Sequence, residues 1–310
     1  MNTPGISVVI PCFNAGRTIG ELLSQLGRQT LSPDRYEIIV VDDGSTDNTR
    51  EVVRCFPAIT LLEQSRRGPG IARMLGAERA QGDYILYLDS DLYVPENLLE
   101  AHLEYHLKHP AIAATGGGVE PSQEWPLFSW PLVDYFSSWF NAHPEVVYRK
   151  PPEYLPSLNF CINRKLLVET RPLHWEDGLH HTGEDVVFCH AIRQRGLQIA
   201  FVPEAKVKHE DRRTFRAYLR HMYRWGFHAP YVRGKLSGLK YGFLFPHHPS
   251  WLLLTLPLII IGYTVLIWIS WRGSRFHQAT LCLPQILIGR LAYAWGVVRG
   301  TFEKNSFPSS

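Results

Sequence analysis

Two carboxylates separated by one small residue, Asp89-Ser90-Asp91, follow directly on the apolar run Tyr84-Ile85-Leu86-Tyr87-Leu88. A run of that length, bounded by Gly82 and by charge, predicts a buried parallel strand, and ligands of open α/β sheets bind just beyond the carboxyl ends of such strands. Side chains two apart on an extended chain share a side, so the pair offers hard oxygens suited to Mg²⁺ or Mn²⁺ carrying a diphosphate. A solvated Asp-rich turn would have the same local sequence, so the surrounding chain has to decide.

That chain repeats one pattern. Ile6 to Ile10 is a β-branched strand stopped by Pro11; a turn over Cys12 to Gly16 follows, then Ile19, Leu22, Leu23 and Leu26 at helical spacing. Glu37 to Val41 is a second strand that ends in Asp42-Asp43-Gly44-Ser45-Thr46-Asp47, followed by a helix with Val52, Val53 and Phe56 inward. Ile59 to Leu62 is a third strand. Gly68-Pro69-Gly70 then leads into a helix with Pro69 near its start and Gly82 past its end. After the aspartate pair, Pro95 opens a helix with Leu98, Leu99, Leu103 and Leu107 on one face. Four strand-turn-helix units in succession predict a doubly wound, mostly parallel α/β sheet. Two of the motifs then follow strands on the same sheet edge, so their carboxylates converge on one crevice that fits the hydroxyl and imide donors of a nucleotide. Asp43 reads either as a polar group at the rim or as a helix N-terminal cap, and Ser45 and Thr46 read as caps. Arg66, Arg67 and Arg73 are candidates for phosphate, which guanidinium binds in a forked geometry.

Composition narrows the class. The 310 residues suffice for one large domain and an appendage, and 32 Lys and Arg against 29 acids leave a net charge of +3, too mild to predict a nucleic-acid partner. Five scattered cysteines with no Cys-x-x-Cys indicate free thiols in a reducing compartment, and strand-like residues beginning at Ile6 leave no sign of a cleaved signal peptide.

Four ordered motifs, Ser7 to Asn14, Val41 to Asp47, Gly68 to Arg73 and Leu88 to Asp91, resemble glycosyltransferase family 2 with the GT-A fold over roughly residues 5 to 210. The resemblance implies transfer of a sugar from a nucleotide diphosphate sugar, usually with inversion, in the presence of Mg²⁺ or Mn²⁺. Carried onto this sequence, it implies that Asp43 contacts the base, Asp89 lies near the ribose and Asp91 binds the metal. Pro11, Asn14, Arg73 and Ser90 lie inside the matched motifs as further donor contacts. UDP is expected over GDP on frequency alone. Gly183-Glu184-Asp185 opens a helix that Gly196 ends before the strand Gln198 to Pro203, and a carboxylate at a helix start can be aimed into the crevice to take a proton from an acceptor hydroxyl. The family carries a Glu-Asp pair here with the Asp as base, which implies Asp185, with Glu184 beside the acceptor; the alternative is that both acids simply favour the positive helix end, which explains Glu184 in part. His209, in Val207-Lys208-His209, resembles a position where some members complete the metal shell. Leu158 to Ile162, with Asn159, resembles the strand behind the acceptor.

Between them, Trp125, Trp130, Tyr135 and Trp139 fall where the family varies and faces its acceptor; they read as sugar- or lipid-contacting aromatics or as the packing of a satellite helix. Arg212, Arg213, Arg216, Arg220 and Arg224 interleave with aromatics in a basic amphipathic helix of the kind that lies on anionic lipid. His221-Met222-Tyr223-Arg224-Trp225 is similar to the Gln-x-x-Arg-Trp motif of processive members, with His in place of Gln, so Arg224 and Trp225 are candidate acceptor contacts. Trp251 to Trp271 carries no charge over 21 positions. At about 1.5 Å per residue that spans roughly 31 Å, a hydrocarbon core's thickness. Residues 279–298 form a weaker second span interrupted by Pro284, Gln285 and Arg290. The organisation expected is therefore a nucleotide-sugar-dependent catalytic domain over 1–210, an interfacial segment over 211–248 and a transmembrane hairpin over 249–310 with helices 251–271 and 279–298. Loop charges put the catalytic domain in the cytoplasm of a multi-pass membrane protein, acting on a lipid, lipid-linked or polysaccharide acceptor. A nucleotidyltransferase also uses a doubly wound sheet and paired acids but leaves Gly183-Glu184-Asp185 unexplained. An idle membrane scaffold would have no need of Asp89, Asp91 and Asp185 together.

Overall fold

The first strand, β1 (Ile6–Cys12), is buried at every residue, as a chain with sheet on both sides and helices on both faces must be. In this computed structural model, which describes residues 5–146, 148, 151–170, 183–236, 238, 239, 241–245 and 249–303, it is flanked by parallel partners. In chain order there follow α1 (Ile19–Leu26), β2 (Tyr36–Asp43), α2 (Thr49–Arg54), β3 (Thr60–Gln64), α3 (Pro69–Arg79), β4 (Tyr84–Leu88), β5 (Leu92–Tyr93), α4 (Leu98–Lys108) and β6 (Ile112–Pro121). Then come α5 (Trp130–Ser138), β7 (Asn159–Asn163), α6 (Arg164–Thr170), α7 (Glu184–Gln194) and β8 (Gln198–His209). The sheet has eight strands in the order β3-β2-β1-β4-β7-β6-β8-β5.

The first four strands pair in parallel, as the apolar runs predict. The expectation of a mostly parallel sheet needs correction beyond β4, because β7 is antiparallel to both β4 and β6, and β5 is antiparallel to β8. The sheet is mixed, and its reversal at β7 brings Asn159 opposite Leu88 at the carboxyl end of β4. A second correction concerns α4, whose expected inward residue Leu107 is 63% exposed. Leu98, Leu99, His102, Leu103 and His106 are the buried set instead, which is the better helical face.

The chain divides into two compact units: residues 1–122 with 148–210, and residues 123–147 with 211–310. The second contains α5, α8 (Phe215–Lys235), α9 (Leu252–Ser270), α10 (Phe276–Leu281) and α11 (Leu283–Phe302). Within it Tyr135 and Trp139 are buried, so packing of a satellite helix is what those two aromatics do. Trp271, at the end of the uncharged stretch, is fully buried, with ring centroids 4.9 Å from Phe136 and 4.2 Å from His143. Among the described residues α9 alone is long and apolar enough to cross a membrane by length and composition. Pro257 lies inside it, and its missing N–H is followed by a π turn over Leu258–Gly262. The second expected span falls on α10 and α11, and the hairpin is not shown. Helix α11 is committed along one face to α8: a Cβ at Gly296 would lie 2.1 Å from the Tyr223 carbonyl oxygen, and one at Gly300 1.9 Å from that of Phe227. Arg290 is buried on the same helix with its guanidinium 4.9 Å from the Tyr293 ring.

Candidate active site

Three loops meet at the carboxyl ends of β1, β2 and β4. The turn after β1 holds Asn14 at a φ of 51°, a conformation in which Asn is among the few tolerated side chains. Its backbone N–H donates to Ser45 Oγ at 2.9 Å, and its side-chain oxygen accepts the Thr46 N–H at 2.8 Å. Ser45 and Thr46 therefore brace the neighbouring loop; the cap position of α2 belongs to Asn48, which makes no side-chain capping bond. Asp42 accepts the Ser45 N–H at 3.1 Å, and Asp47 accepts from Gly16 N–H and Thr49. The Thr49 hydroxyl holds the Asp47 carboxyl below the usual carboxylate range. Pro11 lies beyond the last residue of β1 that pairs with β4, so its missing N–H breaks no ladder bond on that side.

Asp43 is 4% exposed, and both of its oxygens are engaged by its own chain. One accepts from Gln64 Nε2 and the Arg67 N–H, each at 2.7 Å, and the other from the Gly68 N–H at 2.8 Å. As placed, this carboxylate shapes the turn into α3, where Gly68 takes a φ of 96° that other residues resist. Above the turn the Arg66 guanidinium lies 3.6 Å from the centroid of the Phe13 ring.

Arg73 is 3% exposed, facing inward from α3, and its guanidinium meets Asp89 Oδ1 at 2.5 Å. A buried cation needs such a partner, and the pair fixes Asp89 at the end of β4. Asp89 keeps 33% of its side chain exposed and Asp91 42%. The antiparallel β5–β8 pairing sets Leu92 opposite His209, and His209 Nε2 consequently lies 3.7 Å from Asp91 Oδ2. Ser90 bonds to the Cys12 thiol, which burial pushes far above its ordinary range and keeps protonated.

The donor set fits the expected cation. Among the described residues no three His, Cys, Asp or Glu gather to hold a metal by themselves. One carboxylate and one imidazole suit an octahedral ion that takes its remaining ligands from phosphate oxygens and water, the usual manner of Mg²⁺ and Mn²⁺.

Asp185 stands in the first turn of α7, where its Oδ1 accepts the Val186 N–H at 2.8 Å. It lines a small open pocket together with Arg73, Tyr87, Phe160 and Phe188. The structure thus brings Asp185 to the same pocket as the arginine that holds Asp89. Glu184 begins α7, but its side chain is outside the described residues. Asn159, expected beside the acceptor, is 1% exposed and faces the core instead. Arg224 is exposed on α8, and Trp225 packs its ring 4.3 Å from His221 in the second unit.

Asn159 belongs to a buried network that sequence reasoning missed. Its Nδ2 donates to the Ala205 carbonyl at 2.7 Å, so its Oδ1 accepts from His102 Nε2 at 3.0 Å. The neutral His102 then accepts the Thr115 hydroxyl proton at Nδ1, 2.9 Å away, and Thr115 Oγ1 accepts from His106 Nε2 at 3.2 Å. Burial pushes both imidazoles down to about 4. Histidines four apart on the apolar face of α4 were the available signal.

Residues 7–169, more than half of the chain, match the family model described as glycosyl transferase family 2. The chain belongs to that family. An uncharacterized glycosyltransferase of Haemophilus influenzae is 34% identical over 127 residues, 37% of this family 2 chain and 48% of the relative. TarS of Staphylococcus aureus, a poly(ribitol-phosphate) β-N-acetylglucosaminyltransferase, is 34% identical over 99 residues, 30% of this chain and 17% of TarS. The matched stretch therefore spans about half of one relative and a small part of the other. The fold extends much further. The mannosyltransferase PcManGT of Pyrobaculum calidifontis, solved with GDP-Man and Mn²⁺, superimposes with a TM-score of 0.65 at 17% identity over 98% of this chain and 89% of its own. TarS 1-349 with UDP-GlcNAc gives 0.51 at 15% identity over 97% and 92%. These likenesses show a GT-A-like fold around the mixed sheet.

Proposed function

We propose that this chain transfers a sugar from a nucleotide diphosphate sugar, with inversion, to a lipid, lipid-linked or polysaccharide acceptor at the cytoplasmic face of a membrane. The observation that carries the reading is that Asp185 and Arg73 line one pocket while Arg73 pairs with Asp89, and that Asp91, two residues further on, has His209 of β8 at 3.7 Å. In this reading Asp185 takes the proton of an acceptor hydroxyl while that oxygen forms its bond to the anomeric carbon, and the bond to the nucleoside diphosphate breaks on the opposite face. Asp91 and His209 would hold Mg²⁺ or Mn²⁺, which when bound neutralises charge developing on the leaving diphosphate. Arg73 keeps Asp89 turned toward the donor's ribose.

The catalytic domain is residues 1–210, with 211–248 interfacial and the anchor beyond. Attachment to the membrane rests on α9 and on α8, where Arg216, Arg220 and Arg224 form an exposed stripe at four-residue spacing. Positive charge before α9 favours the cytoplasm for the catalytic domain. The base is open between UDP, bound by TarS, and GDP, bound by PcManGT. A panel of UDP- and GDP-sugars with the purified protein and Mn²⁺ tests the reading: one donor should be hydrolysed or raise the thermal midpoint, and indifference to all of them would remove nucleotide-sugar transfer.

A further inference from the structure

Strand β8 does not follow β6 in one register. Gly117 pairs with Val202 and Val119 with Val207, so β6 advances by two residues while β8 advances by five. The additional β8 residues form a bulge over Pro203, Glu204, Ala205 and Lys206, and the short stretch beyond the bulge ends at His209. A bulge of this kind re-aims the strand beyond it. The register after the bulge decides which residue meets Leu92, and so whether the His209 ring arrives at Asp91. A slip of one residue would turn His209 to the other face of the sheet.

Two features lock the bulge. The Ala205 carbonyl oxygen occupies the place of a side chain at position 117, where a Cβ would lie 1.6 Å from it, so only glycine fits. The same carbonyl accepts the Asn159 amide at 2.7 Å, and that amide is oriented from behind by His102. A wholly buried carbonyl at an irregular point of a strand needs such a donor.

We propose that Asn159, oriented by His102, is a positioning residue for the metal-binding pair: it fixes the β8 bulge at Ala205 and thereby sets His209 against Asp91. The inference rests on the reading of Asp91 and His209 as metal ligands. Groups hydrogen-bonded directly to metal ligands typically govern metal affinity by about 10- to 100-fold, which sets the upper scale for a residue that acts through the strand carrying the ligand.

The test is an EPR titration of the full chain with Mn²⁺ in the presence of saturating UDP and, in a parallel set, GDP. Affinity for the nucleotide without metal is measured alongside. Asn159→Ala should weaken Mn²⁺ binding by about tenfold or more while metal-free nucleotide affinity stays at the wild-type value. His102→Leu, which leaves the Asn159 donor but not its orientation, should weaken Mn²⁺ binding by a smaller factor and decides the matter if Asn159→Ala does not fold. Equal Mn²⁺ affinity in wild type and the folded variants overturns the positioning role and leaves the metal reading standing. A matching loss of metal-free nucleotide affinity also overturns it, since the change would then be a general distortion. No Mn²⁺ binding by the wild type in either set removes the metal reading, and the inference with it.

Discussion

The aspartates at and just beyond the end of β2 and those that follow β4 are the same side chain at the same edge of one sheet, yet the chain deploys them differently. Asp42, Asp43 and Asp47 accept hydrogen bonds from neighbouring backbone, and Asp43 is left 4% exposed. Asp89 and Asp91 each have one cationic or imidazole neighbour and keep 33% and 42% of their side chains open to solvent. A saturated carboxylate holds loops, whereas one with an unfilled coordination side is able to meet a ligand. The comparison teaches that an aspartate-rich motif divides into hydrogen-bonded and solvent-open carboxylates according to which backbone amides lie within its reach.

The division is most exposed to test at Asp89. Asp89→Ala removes one carboxylate partner from a guanidinium that is 3% exposed, and losing that charge-assisted hydrogen bond should cost about 3 kcal/mol. It should also reduce transfer below detection, read from a denaturant midpoint and a transfer assay on one preparation. Asp43→Ala should cost on the order of 2 kcal/mol by orphaning the Arg67 and Gly68 amides. If the saturated aspartates are scaffold, residual transfer at low temperature should survive this change far better than it survives Asp89→Ala. Equal loss of transfer at equal folded fraction would erase the distinction between the two loops.

A smaller effect concerns the network behind β8. His102 and His106 are neutral in the folded state with values down to about 4, against an unfolded value of about 6.5. Their contribution is fully present above pH 6.5 and is lost progressively as the pH falls toward 4, because the unfolded chain takes up protons first. Between pH 7 and 5.5 each ring should withdraw about 1 kcal/mol. His106→Gln should flatten that slope; an unchanged slope would mean that the imidazoles are not what titrates.

Much of this was legible in the sequence where the signal is local. The continuous apolar runs of β1, β2 and β4 sufficed to place the strands, and Pro69 marks the start of α3 where the structure has it. The features that escaped depend on partners distant in the chain. Nothing near Arg73 announces that it is buried against Asp89, sixteen residues on. Leu107 reads as core by its type, while His102 and His106 are inward because Thr115 and Asn159 satisfy their ring nitrogens. The β8 bulge has no composition of its own. The second span is not shown, since among the described residues α9 alone is long and apolar enough to cross a membrane; that Gly296 and Gly300 of α11 serve a close packing on α8 is something composition alone does not reveal.

The proposed role of Asp185 as the base, in the pocket it shares with Arg73, is tested most directly by one comparison. Asp185→Asn keeps the shape and an oxygen to accept the Val186 N–H while removing basicity. Transfer rate and donor affinity should be measured together for wild type, Asp185→Asn and Glu184→Gln. Asp185→Asn should retain donor affinity while transfer falls by about 10²- to 10⁴-fold, with a lesser change for Glu184→Gln, whose position on the helix turns it about 100° away. Near-normal transfer by Asp185→Asn, or equal loss of donor binding in both variants, would contradict the role of Asp185 as the base.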